Sequence, residues 1–273
     1  MSFHTHAPNF MDPVSKRLLG RAFVLWVSVG SWLLPITAAE TLRPTESNLP
    51  AIHARSTNTA VRRVLFIGNS LTYWQQGIYL HLERLAASGE TPTLIHADKC
   101  VKGGATLKTH WERPEPRAMI AQGGWTEVVV QEDLPEINVS YFREHARNFV
   151  GEIRKVKARP VLLMAWPYAR LDWIGTDTIA EEHRKLAKEL GIDVAPVALA
   201  WRTSLQQRPD LDLFAADREH PSLLGTYLAT SVVYATLSGN DPRPLRYVPA
   251  ELREADAAYL RRIAWETVRR WNP

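Results

Sequence analysis

The sequence is short of cysteine, of net charge and of long apolar runs, and each shortage removes a class of protein. A lone cysteine, Cys100, in 273 residues cannot close an internal disulfide, so the fold must rest on its hydrophobic core. Lys99 and Lys102 lie near that thiol and could favour the thiolate, but no Cys–His pattern accompanies it, which makes it a spectator rather than a nucleophile. The formal net charge is +4, from 33 Lys and Arg against 29 Asp and Glu. That bias is too weak to imply nucleic acid or an anionic membrane as a partner. No internal repeat, low-complexity run or interdomain linker divides the chain. With 45% hydrophobic and 23% charged residues, the composition is that of a globular protein.

The longest apolar stretch, from Ala22 to Ile36, falls short of the roughly 20 residues that a membrane span needs. Lys16, Arg17 and Arg21 precede it, and Thr37-Ala38-Ala39-Glu40 follow. A basic start, a short apolar middle and small residues at the end describe a secretory signal peptide. Residues 1–39 are therefore expected to be removed on export to the periplasm or medium, with cleavage after Ala39 or, second, after Ala38. An uncleaved N-terminal anchor is the alternative. No cysteine lies near the cleavage site, which disfavours a lipoprotein. Cleavage removes three basic residues and Asp12, lowering the net charge by two. Residues 40–60 read as a polar leader and residues 61–273 as the folded domain, with no stable membrane insertion after cleavage.

Within that domain, strand and helix patterns alternate. Arg63–Ile67 reads as a buried strand, short, apolar and closed by Gly68. Thr72 to Ser88 has helical spacing, Thr93–His96 is a second strand, and Glu127–Gln131 a third whose continuous valines suggest burial on both faces. Tyr141–Val156 carries a helical stripe of Phe142, Ala146, Phe149, Val150 and Ile153. Pro160–Trp166 is a fourth strand, Thr178–Leu190 a helix ended by Gly191, and Asp193–Val197 a fifth strand. Leu223–Leu237 and Glu251–Trp271 close the chain as helices. Such alternation predicts an α/β fold, a parallel sheet covered on both faces in three layers. Ligands of these sheets bind at the carboxyl ends of the strands, which places Ser70, after the first strand, and Gln131, ending the third, on the functional edge.

Ser70 stands in Gly68-Asn69-Ser70-Leu71, and about 150 residues later comes Asp217-Arg218-Glu219-His220. Alone, a serine here could simply cap the helix that follows. With an imidazole to take its proton and a carboxylate to orient that imidazole, it becomes a nucleophile, with His220 as base and Asp217 as its partner. A metal site on Asp217 and His220 is a weaker reading, because no third ligand stands at metal-site spacing; no metal and no cofactor is expected. A developing oxyanion needs prearranged donors. The Ser70 N–H at a helix start is one, Gly104 in Lys102-Gly103-Gly104-Ala105 a second with Gly103 as fallback, and the Gln131 side-chain amide a third. Gln131 reads equally well as a polar residue that merely ends a strand.

These segments resemble the blocks of the SGNH hydrolases, the superfamily of GDSL esterases and lipases. Gly68-Asn69-Ser70-Leu71 is similar to the nucleophile block, commonly Gly-Asp-Ser-Leu. Gly103-Gly104 resembles the second block, and Asp217-Arg218-Glu219-His220 the final Asp-x-x-His. The resemblance runs over roughly Val61 to Trp271. It implies a flavodoxin-like three-layer α/β/α fold with a five-stranded parallel sheet. It also implies Ser70 as nucleophile, His220 as base, Asp217 as partner, and oxyanion donors from the Ser70 and Gly104 backbone. Two departures stand out. Asn69 replaces the usual aspartate and leaves the serine chemistry intact. The third block, normally Gly-x-Asn-Asp with an asparagine donor, is missing, and Gln131-Glu132 takes its place. Glutamine keeps the amide but adds a methylene, so its reach differs.

Eight of the ten tryptophans lie beyond the signal segment, among them Trp125 and Trp166. Tryptophans mostly fill cores, although their faces also stack on sugar rings. Trp74, one helical turn beyond Ser70, and Trp111, after the Gly103-Gly104 loop, are the two expected to edge a substrate site. No long apolar surface stripe suggests a lipase lid. The expected substrates are short acyl esters, with acetyl groups on carbohydrate preferred. A lysophospholipase or thioesterase, or a non-catalytic binding module on the same fold, are the alternatives.

Overall fold

Successive side chains of a strand point to opposite faces, so the run Val64-Leu65-Phe66-Ile67 can be buried throughout only if both faces are covered. The computed structural model, which describes residues 61–271 apart from residue 137, has that arrangement. The expected signal segment and polar leader lie outside the described residues. Strands β1 (Arg62–Gly68), β2 (Ile95–Val101), β3 (Glu127–Gln131), β4 (Arg159–Leu163) and β5 (Asp193–Ala195) form one sheet in the order β2-β1-β3-β4-β5. Every neighbouring pair is parallel.

The helices are α1 (Ser70–Tyr73), α2 (Ile78–Ala87), α3 (Leu107–Glu112), α4 (Pro114–Ala121), α5 (Val139–Lys155), α6 (Thr176–Leu190), α7 (Val197–Gln207), α8 (Leu223–Ser238) and α9 (Glu254–Arg270). Val64, Phe66 and Val129 turn to one side, into a core shared with α2, α7, α8 and α9. Leu65, Ile67, Val128 and Val130 turn to the other, against α3, α5 and α6. Removing the side chain of Phe66 from water contributes about 1.5–3 kcal/mol. The expected three-layer α/β sandwich with five parallel strands is present. The chain runs from β1 outward to β2 and then back across to β3, so the strand order reverses between β1 and β3, where such sheets hold their ligands. Among the described residues, no helix is long and apolar enough to cross a membrane.

Several boundaries differ from the sequence reading, each for a local reason. The helix expected over Thr72–Ser88 is broken. One turn, α1, is followed by Gln75, Gln76 and Gly77 at φ 50°, 68° and 85°, before α2 begins. Left-handed backbone costs a residue with a Cβ roughly 1–2 kcal/mol, so two glutamines there store strain. Strand β2 continues past His96 through Asp98 and Lys99, which an edge strand can leave partly in solvent. The last two strands stop early, β4 at Leu163 and β5 before Pro196, which has no N–H for a ladder and instead precedes α7. Helices α3, α4 and α7 have no counterpart in that reading. Gly191 does cap α6, in the left-handed conformation at φ 58°.

Candidate active site

The turn after β1 is built into the core. Asn69 is fully buried and Ser70 is 7% exposed. The Asn69 side-chain oxygen caps α1 by accepting the Leu71 N–H at 3.0 Å, and its Nδ2 donates to Asp133 Oδ2 at 2.7 Å. Asp133 in turn accepts the Tyr168 hydroxyl at 2.5 Å. An aspartate at position 69 would set two buried carboxylates against each other, which gives the asparagine a physical reason. Gly68 is tightly enclosed: a Cβ there would lie 2.5 Å from Thr72 Oγ1 and 2.7 Å from Gln131 Oε1.

Opposite the turn, His220 Nε2 lies 2.8 Å from Ser70 Oγ, and His220 Nδ1 lies 2.7 Å from Asp217 Oδ2. The other oxygen of Asp217 accepts the N–H groups of Glu219 and His220, both at 3.0 Å. Partial desolvation pushes the Asp217 carboxyl up. The hydrogen bonds from the His220 ring and from these two N–H groups outweigh it and hold the group below its ordinary value. It therefore stays a carboxylate, with Nδ1 carrying the proton and Nε2 facing the serine as acceptor. Arg218, between them, takes φ 61° to close the turn. The Trp166 indole N–H donates to the Glu219 carbonyl at 3.0 Å, tying this loop to the end of β4.

The structure brings Ser70, His220 and Asp217 together, and Gly103 and Gly104 line the same cleft of about 590 Å³. Gly104 sits at φ 63°, a conformation suited to glycine. The loop is anchored by the Lys102 N–H, which donates to the Gly68 carbonyl at 3.1 Å.

Gln131 corrects the sequence expectation. Its side chain is buried beneath the turn: Oε1 accepts the Asn69 N–H at 2.9 Å and the Thr72 hydroxyl at 3.0 Å, and Nε2 donates to the Glu132 carbonyl at 2.9 Å. Both ends of the amide are engaged and Gln131 is not among the residues lining the cleft, so its side chain does not face the site. The glutamine amide instead lies beneath the Asn69–Thr72 turn.

Trp74 and Trp111 diverge. Trp74 lines the cleft, with its ring stacked on His220 at 4.1 Å between centroids and 21° between planes, so one face is already covered. Trp111 is not among the lining residues. Its ring packs edge-on against Phe149, and the Arg117 guanidinium lies 5.0 Å from its centroid, which makes it part of the α3–α5 packing. Trp125 and Trp166 are core residues.

Sequence reasoning passed over Asp133 and Glu219, which also line the cleft, and the buried Glu132. The signal available was an acidic pair directly after an apolar strand, at the edge where ligands bind. Glu132 accepts the Leu107 N–H at 3.1 Å and the Asp133 N–H at 2.8 Å, fastening the start of α3 to the end of β3. Burial pushes its carboxyl up to about 7 against the pull of those two donors. Among the described residues, no group of three or more His, Cys, Asp or Glu side chains is arranged to hold a metal ion.

No family model matches the sequence, and no curated protein matches it. Solved structures do. A protein from Slackia heliotrinireducens, assigned as an SGNH hydrolase, is 26% identical with a TM-score of 0.56, the match covering 65% of this chain and 99% of that one. A DUF4886 family protein from Bacteroides uniformis is 16% identical with a TM-score of 0.62, covering 77% and 95%. A variant of a Geobacillus acetyl-xylooligosaccharide esterase is 17% identical with a TM-score of 0.56, covering 68% and 97%; at that identity it speaks for the fold alone.

Proposed function

We propose the function from one premise: the chain belongs to the SGNH hydrolase superfamily and is a carboxylic ester hydrolase. The finer reading is a serine esterase acting on short acyl esters, with acetyl groups on carbohydrate as the preferred substrate class. The observation that carries it is the continuous hydrogen-bond chain from Ser70 Oγ through His220 to Asp217. His220 Nε2 takes the Oγ proton as the oxygen attacks the ester carbonyl. The oxyanion meets the N–H groups of Ser70 and Gly104. The tetrahedral adduct collapses, His220 protonates the departing alcohol, and an acyl-Ser70 remains. Water, deprotonated by the same imidazole, then releases the acid.

The preference for carbohydrate esters rests on the cleft lining. Tyr73 and Trp74 offer aromatic surface, Thr106, Asp133 and Glu219 offer hydrogen-bonding oxygen, and among the described residues no lysine or arginine lines it to receive a phosphate. One observation favours the second reading, a lysophospholipase or thioesterase. An apolar cavity of about 470 Å³ lies behind the base loop, with Trp201 and Phe214 in its wall, and Phe214 bridges to Pro221. We also propose export, on the signal-like segment at residues 1–39.

Labelling with a fluorophosphonate, followed by mass spectrometry, should place the adduct on Ser70, and Ser70→Ala should lower turnover by several orders of magnitude. An adduct elsewhere, or a near-normal Ser70→Ala variant, removes the nucleophile. A series of p-nitrophenyl esters should peak at about two to four carbons, because Thr106, Asp133 and Glu219 line the cleft beside the aromatic Tyr73 and Trp74. A peak at about eight carbons or more selects the second reading.

A further inference from the structure

We infer that Trp74 is a positioning residue for the general base, aimed by a strained turn that the buried His81 braces. The inference rests on the reading of His220 as that base. The two hydrogen bonds of His220, to Ser70 and Asp217, lie in the plane of the imidazole and fix its edges. They leave its tilt to whatever lies on its faces. One face carries the Trp74 indole, 4.1 Å away and nearly parallel. Besides Asp217, the Glu219 carboxylate approaches the ring, its Oε1 4.0 Å from Nε2, and its other oxygen is held by the Arg170 guanidinium. An indole face also attracts the imidazolium that forms when the serine proton is taken.

Helical propensity would carry Trp74 onward into α2, but the backbone leaves the helix immediately after it. The Trp74 N–H donates to the Ser70 carbonyl at 2.9 Å, and Gln75, Gln76 and Gly77 then follow in the left-handed region. Only glycine fits the third position, since a Cβ there would stand 2.4 Å from the Tyr79 ring. The strain is held by His81, which is 1% exposed. Its Nε2 lies 2.8 Å from the Gln75 carbonyl and its Nδ1 lies 2.8 Å from the Tyr247 hydroxyl. A carbonyl can only accept, so Nε2 carries the proton and Nδ1 accepts from Tyr247. Burial lowers the pKa of His81, which keeps this neutral form in place. Strain concentrated beside a catalytic side chain, and braced from the core, is a sign of use. Here it presents the indole to the base.

The test compares Trp74→Leu and Trp74→Phe with the unsubstituted protein on p-nitrophenyl acetate, with Ser70→Ala as reference. Trp74→Leu should lower kcat between about 10- and 100-fold, the size of a misplaced catalytic group, while KM changes less than about 3-fold. It should slow labelling of Ser70 by a small fluorophosphonate in the same proportion, and Trp74→Phe should restore most of both. A Trp74→Leu variant that keeps kcat and labelling rate while KM rises would overturn the inference and make the ring a substrate wall. If Ser70→Ala stays active, the function itself has failed instead. A readout that needs no active variant is fluorescence. The emission difference between the unsubstituted protein and Trp74→Phe should be quenched as His220 takes up a proton, and should lose that pH dependence in a His220→Gln background. The same pH dependence with and without His220 would also overturn the inference.

Discussion

Ser70 is 7% exposed and rests on Asn69, Gln131 and Asp133, all buried, whereas the side chain of Asp217, at the far end of the same hydrogen-bond chain, is 46% exposed. The proposed nucleophile is positioned by the ends of two sheet strands and the polar groups packed between them. The proposed base is positioned by a loop that holds itself, through the Asp217 turn, and by contacts from outside it. Among these are the Trp166 indole N–H on the Glu219 carbonyl, the Ala169 N–H on the Arg218 carbonyl at 2.9 Å, the Arg170 guanidinium on the Glu219 carboxylate, and the Trp74 ring. The serine half is thus part of what keeps the protein folded, and the base half is largely an addition to it. Damage to the first should cost stability and activity together. Damage to the second should cost activity alone.

The largest effect tests the exposed half. Asp217→Asn keeps a carbonyl oxygen for the two backbone N–H groups but turns a donor toward Nδ1, so His220 is driven to the wrong tautomer. Turnover should fall about 10⁴-fold, with an unfolding midpoint in urea close to that of the parent. A marked loss of stability would show that the loop is not independent of the core. Next comes Gly68→Ala, in the buried half. Its Cβ would stand inside contact distance of Thr72 and Gln131 and push the serine off its line. The expected loss is about 100-fold in kcat, together with roughly 1–3 kcal/mol of stability. If activity fell without stability, the two halves would not differ as described.

The smallest effect is on stability alone and depends on pH. In the folded protein the Glu132 carboxyl is raised to about 7, whereas its ordinary value is 4.5. Between those values the native state holds a proton that the unfolded state has released. Stability from this group is therefore full below about pH 4.5 and is lost as pH rises through about 7. The difference amounts to roughly 3 kcal/mol. Glu132→Gln, neutral throughout, should remove that slope: relative to the parent, the variant gains stability from pH 5 to pH 8 in urea titrations. Parallel curves for the two proteins would mean that Glu132 does not titrate in this range.

Much of this was legible in the sequence, and the split follows the same line. The strands read at Arg63–Ile67 and Glu127–Gln131 were legible because burial on both faces demands an unbroken apolar run, Val64–Ile67 in one and Val128–Val130 in the other. That Ser70, Asp217 and His220 meet could be read because their residue types in that order suit one constellation. The role of Gln131 could not. A polar side chain ending a strand can turn toward the cleft or under the turn, and only the packing of Gly68, Asn69 and Thr72 decides which. The break at Gln75–Gly77 was hidden for a different reason, since glutamine carries no left-handed preference and the helical spacing runs straight through it. Trp111 was placed near the site by its distance along the chain from Gly104, but α3 rotates it onto Phe149.

The wide spacing of the parts has a consequence for the growing polypeptide. Asn69 meets its buried partner Gln131 across 62 positions, and Ser70 meets His220 across 150. Contacts of that range close late, because each must first overcome the entropy of the loop between its ends. Synthesis completes the nucleophile turn early, when its support has not yet been made, and supplies the imidazole only near the end. A chain that stalls, or is clipped, before residue 220 carries the serine without its histidine partner. The Ser70–His220–Asp217 constellation thereby becomes a property of the finished molecule, withheld until nearly every layer is in place.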